Sequence, residues 1–482
     1  MKTKIDYFGY DTLLQPTDWR FAAAVVGLCK YFDYFEIDYK VLYDVDEKPD
    51  NYVHGFDGII YKSEDVIEEK YLDFAESYFA KYMTHSIILN TLKNNDEFSE
   101  EQIKLVNDLV KSKTVLKGLL GKTKFDGTNK DIFISTIEEN RTEIIKNIFK
   151  NGNNLYKNYC NERLIFTEDN STCRLRGYNV DKDRKTNNLG FCFSKESFES
   201  NDILEFDFIP FAFSNPDMKE TYFVNNNFSV KSLTQTNYAF SNQLSSTENK
   251  YDKNKLLRVL QQSKDYISYD VEIISKSQDK AYYETFFVRL ERLKKLRELS
   301  GKSLNFVKKI NDDYWFNLEK EVYMRCLNNV LLDDVILKMF KFFYFEESEK
   351  KNGKAISEIR KTQKNIMYKI GLLVDINVSW KGNEIMDEIK SAKSCGFLTS
   401  KKLIEMKSSN KINSYKQKII SALCAHDYDR AKEVILSLSA YVGMEFSFFY
   451  TFLENAEQNK DLAFAFASAL NEVSSKNNEE NN

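Results

Sequence analysis

The segment 428–442, YDRAKEVILSLSAYV, places Ala431, Val434, Ile435, Leu438 and Val442 at positions i, i+3, i+4, i+7 and i+11. That period gathers the apolar side chains on one face of a helix. Segments 381–394, 413–425, 445–456 and 460–472 carry the same periodicity and are joined by short polar connections, so residues 381–473 read as an antiparallel, all-α C-terminal bundle. The tail 474–482, SSKNNEENN, has nothing to pack and is expected to be disordered.

Toward the N-terminus, residues 316–380 read as a helical connector in which only Val374–Val378 has any strand character. Residues 1–315 differ, because helix and strand patterns alternate there. RFAAAVVGLCKY (20–31) reads as a buried helix, whereas Tyr34–Tyr43 and Phe56–Tyr61 read as strands. From about 63 to 150 the apolar residues recur at helical spacing, which marks an inserted helical subdomain. Strand patterns return at Ile203–Phe213 and Glu220–Val224, followed by a turn at Asn225–Asn227. A helix over 255–262, a strand over Tyr266–Ile274 and an amphipathic helix over Ala281–Leu299 complete the body. The expected fold class is α+β: a mixed N-terminal body with inserted helices, then a helical bundle.

A length of 482 residues fits two or three domains that each bury a core. The cysteines, at 29, 160, 173, 192, 326, 395 and 424, form no C-x-x-C pair and point to a reducing, cytoplasmic setting. No stretch has the length and apolarity of a membrane span, and the N-terminus lacks the pattern of a cleaved signal. Net charge is −4 and the isoelectric point near 5.8, so any surface for a polyanion has to be local. The abundant Lys and Asn are also what an AT-rich genome encodes, against which every Lys-Asn cluster must be weighed.

Enzymatic motifs are poorly supplied. Gly118-Leu-Leu-Gly121-Lys122-Thr123 ends like a phosphate loop, but Leu116 stands where the first glycine belongs and the preceding segment reads as a helix instead of a strand. His54, His85 and His426 are far apart and have no acidic partner at metalloprotease spacing. Cys160, Cys173 and Cys192 lack the paired spacing and the fourth ligand of a closed zinc site, so free thiols are expected and no cofactor is assigned.

Basic clusters are better represented. Lys104, Lys111, Lys113, Lys117, Lys122, Lys124 and Lys130 face only Asp108 and Asp126, and Gly118, Gly121, Gly127 and Asn129 lie among them. Backbone amides and ammonium groups in such a segment can approach phosphates. The long loop 167–190 carries Arg174, Arg176, Lys182, Arg184 and Lys185 with Asn187 and Asn188, groups that reach base edges as well as phosphates. RLERLKKLR (289–297) sets Arg289 and Arg292 on a mostly basic face, and Lys401, Lys402, Lys407, Lys411, Lys416 and Lys418 cluster around one helix junction. Each of these is equally an ordinary solvated face if no partner exists.

The order of these pieces resembles the large subunit of type I CRISPR Cascade, in the form found in subtypes I-A and I-B. The resemblance rests on Asp18-Trp19-Arg20 followed by Ala24-Val25-Val26-Gly27-Leu28, on Phe206-Asp207-Phe208-Ile209-Pro210-Phe211-Ala212-Phe213, on Tyr269–Ile274 leading into Ala281–Phe287, and on a C-terminus similar to a fused small subunit. Family members often carry a paired-cysteine zinc element, to which only Cys160 and Cys173 correspond here.

The resemblance implies a non-enzymatic protein that binds the 5′ handle of a guide RNA beside backbone and handle-binding subunits. It also implies recognition of the protospacer-adjacent motif in duplex DNA, help in forming the R-loop, and recruitment of a separate helicase-nuclease. On that basis motif contacts are expected among Lys111–Lys130 and Arg174–Asn188, and strand-backbone contacts on the C-terminal lysines. Separate small subunits made by internal translation are expected to start at Met386, which follows Lys381-Gly382 at the spacing of a ribosome site; Met367 has no such pair before it. Two other classes stay open: a metal-dependent defence nuclease whose carboxylates meet only in the fold, and a structural or interaction protein that binds no nucleic acid.

Overall fold

The structure is a computed structural model that describes residues 1–152, 155–170, 172–177, 202–214, 220–226, 229–246, 255–280, 282–312, 314–348, 355–382 and 384–471. The fold is α+β, with a helical C-terminal region. The chain divides into two compact units, Met1–Leu290 and Glu291–Asn482. No helix among the described residues is long and apolar enough to cross a membrane.

The first unit opens on a hairpin, β1 (Lys2–Tyr7) and β2 (Tyr10–Leu14), turned by Phe8 and Gly9 at positive φ. Two-residue turns of that handedness suit the twist of paired strands. With β3 (Lys40–Val41) and β4 (Ile59–Tyr61) the hairpin forms an antiparallel sheet in the order β1-β2-β4-β3. A second antiparallel sheet comprises β5 (Glu220–Asn225), β6 (Val271–Ser277) and β7 (Glu284–Val288).

Helix Trp19–Phe35 is the axis of this unit. Asp18 caps it, accepting from the amides of Arg20 and Phe21, and its length from Ala22 to Phe32 is almost wholly buried. It crosses so close to Leu204–Ala212 that a Cβ on Gly27 would stand 2.0 Å from the Phe208 carbonyl oxygen. Only glycine admits that approach. Helices follow one another from Glu68 to Asn151 within this unit.

Several expectations are corrected. Residues 203–213 form no strand; Leu204–Phe208 is a 3-10 turn and Ile209–Ala212 a helical turn with Pro210 in its first turn. Phe206, Phe208, Ile209, Phe211 and Phe213 are all buried. A segment enclosed on every side has no polar face to set a period, and Pro210 could not donate to a ladder. Tyr34 and Phe35 end the first helix, so that of Tyr34–Tyr43 only β3 is a strand. Ala281–Leu299 is not one helix: β7 pairs with β6, Val288 opposite Val271, and the helix covers only Leu290–Arg297.

The second unit begins with a small hairpin, β8 (Val307–Lys309) and β9 (Trp315–Asn317). Helices Leu318–Leu327, Asp333–Ser348 and Ile356–Lys381 follow, and the last of these contains Val374–Val378, which is therefore not a strand. The bundle proper is Met386–Glu405, Asn410–Cys424, Tyr428–Val442, Phe448–Glu454 and Lys460–Ala469. Lys460–Ala469 is its centre, with Leu462 to Ala467 buried. It lies against Met386–Glu405 so closely that a Cβ on Gly396 would come within 2.6 Å of the Phe466 carbonyl oxygen.

Candidate nucleic-acid interface

The lysines of residues 104–130 lie along two helices and the braced loop that follows them. Helix Glu100–Ser112 starts at Ser99, which forms a capping box with Gln102, and helix Thr114–Leu120 follows directly. That second helix stands where a phosphate loop would need a strand and glycine turn. From the first helix Asn107 reaches the loop beyond, accepting from the Phe125 amide at 3.0 Å and donating to the Phe125 carbonyl at 2.8 Å. Phe125 itself is buried against Phe98 and Phe133. Asn129 donates to the Lys124 carbonyl at 3.0 Å, and Gly127 turns the chain at φ +91°.

On this frame Lys111, Lys117, Lys122 and Lys124 are exposed and Lys113 is half-exposed. No ion pair involves any of the five among the described residues. Lys130 differs, because Asp96 holds its ammonium at 2.7 Å. The structure thus brings Lys122 and Lys124 together on a pinned backbone and places Lys111, Lys113 and Lys117 on the two helices leading to it.

Arg174 is a correction. It is fully buried, its guanidinium contacting Asp207 Oδ1 at 2.7 Å, Asp202 Oδ2 at 3.0 Å and the Thr167 carbonyl at 2.6 Å. Burial alone would favour its neutral form, but Asp207 and Asp202 more than compensate and hold it charged. Asp207 in turn accepts from Tyr156 Oη at 2.5 Å and from the Phe166 amide at 2.6 Å. This side chain fastens the 166–175 segment to the core and has no group left for a ligand. Arg176 is half-exposed and faces Glu162 at 3.4 Å. Lys182, Arg184, Lys185, Asn187 and Asn188 lie outside the described residues.

Cys160 and Cys173, expected as free thiols, are buried, and burial pushes both thiols up from their ordinary range. No group of three or more His, Cys, Asp or Glu capable of holding a metal ion occurs among the described residues. His85 is enclosed, with Nε2 2.8 Å from Glu76. Burial pushes Glu76 up, but His85 and Arg141 pull it net below the usual carboxylate range.

In the second unit Lys401, Lys402, Lys407 and Lys418 are exposed around the junction of helices Met386–Glu405 and Asn410–Cys424. Lys411 lies 3.6 Å from the Tyr441 ring centroid, and its hydrogen bond lowers the Tyr441 phenol below its ordinary range. Lys416 is a second correction: it is 1% exposed, donates to Asn471 Oδ1 at 3.0 Å and sits over the Phe343 ring. Its spacing explains why, since Ile412, Lys416, Ile419 and Leu423 share the buried stripe of their helix. Arg289, at the end of the first unit, is exposed, whereas Arg292, in the second, is mostly covered and pairs with Glu291 at 3.1 Å.

One feature of this unit went unread in the sequence. The hairpin β8-β9 exposes Trp315 to 54% and Tyr314 to 41%, with Lys309 directly opposite Trp315 and Lys338 5.2 Å from the Tyr314 ring centroid. Rings and cations in alternation are what stacks an unpaired base. The signal was KKINDDYW at 308–315, two lysines and two aromatics across a turn.

A family model described as CRISPR-associated protein Csx8 matches residues 10–254 and 241–470. No curated protein and no solved structure matches the chain.

Proposed function

Because the chain belongs to the CRISPR-associated Csx8 family, we propose that it is the large subunit of a type I interference complex in the cytoplasm. In this reading it binds the 5′ handle of the guide RNA beside backbone and handle-binding subunits, recognises the protospacer-adjacent motif of duplex DNA, helps to open the strands, and offers a surface to the helicase-nuclease. It breaks no bond itself. Separate small subunits translated from Met386 join the same assembly.

The observation that carries this reading is the pair Lys122 and Lys124, held exposed on a loop that Asn107 clamps at both backbone atoms of Phe125. Ammonium groups on a pre-set backbone meet phosphates without the ordering cost that a free loop would carry. Exchange of a DNA duplex for an RNA–DNA duplex is close to balanced, so a few such contacts decide whether opening starts. The exposed C-terminal lysines and the Trp315 hairpin supply cations and a stacking ring of the kind a displaced strand needs.

The test is reconstitution. The backbone subunits and guide are assembled with and without the chain, and permanganate reactivity of thymines in a matched duplex reports opening. Opening that depends on the chain supports the reading; opening that proceeds equally without it refutes it.

A further inference from the structure

The two outer edges of the second sheet of the first unit, β5 and β7, are finished differently. On β5 the outward peptide groups are sealed from within the chain. Ser214 donates its amide to the Tyr222 carbonyl at 2.8 Å, and its Oγ accepts the Tyr222 amide at 2.8 Å. Asn237 does the same for Val224, accepting its amide at 2.9 Å and donating to its carbonyl at 2.7 Å.

That seal also fixes which groups of β7 face outward. In an antiparallel pair the residues that exchange both hydrogen bonds alternate with residues that turn their N–H and C=O away. Since Tyr222 and Val224 turn away from β6, Thr221 and Phe223 bond to Lys276 and Ile274; Ser275 and Ile273 then bond to Glu284 and Phe286 on β7. Thr285 and Phe287 are left pointing away from the sheet. Neither peptide group meets a donor or acceptor among the described residues, and both residues are exposed, Phe287 to 61%.

Edges are usually blunted by lysines, by bulges or by being very short. The first sheet follows that rule, because β1 carries Lys2 and Lys4 and slips register between Lys4 and Tyr7, and β3 has two residues. β7, Glu284-Thr-Phe-Phe-Val288, has no lysine, proline or slip in register. Open peptide groups on a regular strand are a template for one more strand.

Length and charge say which strand. At about 3.4 Å per residue the five residues of β7 span roughly 17 Å. That suits an extended segment and falls short of the surface that two folded copies need. One strand further in, Glu272 lies opposite Phe287, with Asp270 just ahead of β6, while Lys280 already neutralises Glu284 at 2.6 Å. Arg289 follows at the far end. A second copy would bring the same carboxylates to the same edge, whereas a basic segment is attracted to them.

We propose that β7 is a docking edge that receives an extended, basic segment of a partner protein as a fourth strand, hydrogen-bonded to the outward peptide groups of Thr285 and Phe287. This role is independent of the nucleic-acid role proposed above.

Hydrogen–deuterium exchange of the full chain tests it, with acetyl-Lys-Val-Lys-Val-Lys-Val-Lys-amide as the probe. In the free chain the Thr285 and Phe287 amides should exchange fast and the Phe286 amide slowly. Saturating peptide should slow the two fast amides by about tenfold or more. The fully N-methylated peptide keeps the charge and loses the donors, and should give no protection; a peptide with Glu in place of Lys should bind more weakly. Thr285→Pro removes an outward N–H that the sheet does not use, and Thr285→Lys restores an edge lysine; each should weaken binding by about fivefold or more. Thr285→Lys changes an exposed side chain and should melt with the parent. Protection of Thr285 and Phe287 already in the free chain overturns the proposal, since the edge would then be taken. So does equal protection by the N-methylated peptide, or undiminished binding by both variants.

Discussion

Asn377 donates its Nδ2 to Oδ1 of Asp461 at 2.9 Å, joining helix Ile356–Lys381 to the central helix of the bundle. Lys381 pairs with the other oxygen of the same carboxylate, and Asn377 Oδ1 accepts the Leu332 amide at 2.7 Å. Asp461 is wholly buried, and burial raises its carboxyl above the usual range despite Lys381. Asn377→Ala leaves a buried amide and a buried carboxylate oxygen unpaired, for which we expect a loss of roughly 2–4 kcal/mol. Urea unfolding with an unchanged slope would register it as a lower midpoint.

The same contact bears on the internal start. A product beginning at Met386 lacks Asn377 and Lys381, whereas one beginning at Met367 keeps both. The 386–482 fragment is therefore expected to melt at lower temperature than the 367–482 fragment. Equal melting temperatures would show that Asp461 does not need these partners. Finding a short product of unchanged mass after Met386→Leu would remove Met386 as the start.

Arg174 is predicted to act through stability alone. Breaking a buried pair by removing one partner typically costs about 3–5 kcal/mol, so Arg174→Met should unfold far earlier in urea. Folded Arg174→Met protein should bind nucleic acid with the salt dependence of the parent. A changed salt slope in folded protein would return Arg174 to the interface.

Lys276 gives a pH signature. It is 1% exposed, donates to Asn158 Oδ1 at 3.2 Å and to the Ser277 carbonyl at 2.8 Å, and burial lowers its pKa to about 8. The unfolded chain, with an ordinary lysine near 10.4, binds more protons between those values. Stability attributable to Lys276 therefore rises as pH climbs from about 8 to about 10, and the charged form is penalised in full below that window. Relative to Lys276→Met, the parent should gain stability across that range. A flat difference in melting temperature from pH 7.5 to 10 would contradict the buried ammonium.

Much of the fold could be read from period alone. The segment 428–442 is a helix over that span, as is 255–262, because each shows one face to a core and one to water. What escaped was segments without such a contrast. Leu204–Ala212 is buried all round, and β1 and β2 form a short hairpin whose turn, Phe8-Gly9, has only one glycine to announce it. The candidate interface was legible as charge but not as exposure. Lys122 and Lys416 are alike in composition, yet one stands on a loop and the other on an apolar stripe. Arg174 sits among basic residues, while the aspartates that hold it, Asp202 and Asp207, arrive about thirty residues later, one of them inside an apolar run.

The salt dependence of nucleic-acid binding tests the central claim most directly. For duplex DNA the logarithm of affinity should fall linearly with the logarithm of salt concentration, by about 0.9 per phosphate contacted. Lys122→Glu with Lys124→Glu should flatten that slope by about 2 while leaving the melting temperature in place. A chain that binds no oligonucleotide at low salt, even with its companion subunits present, or a double variant with the parent's slope and affinity, would contradict the account.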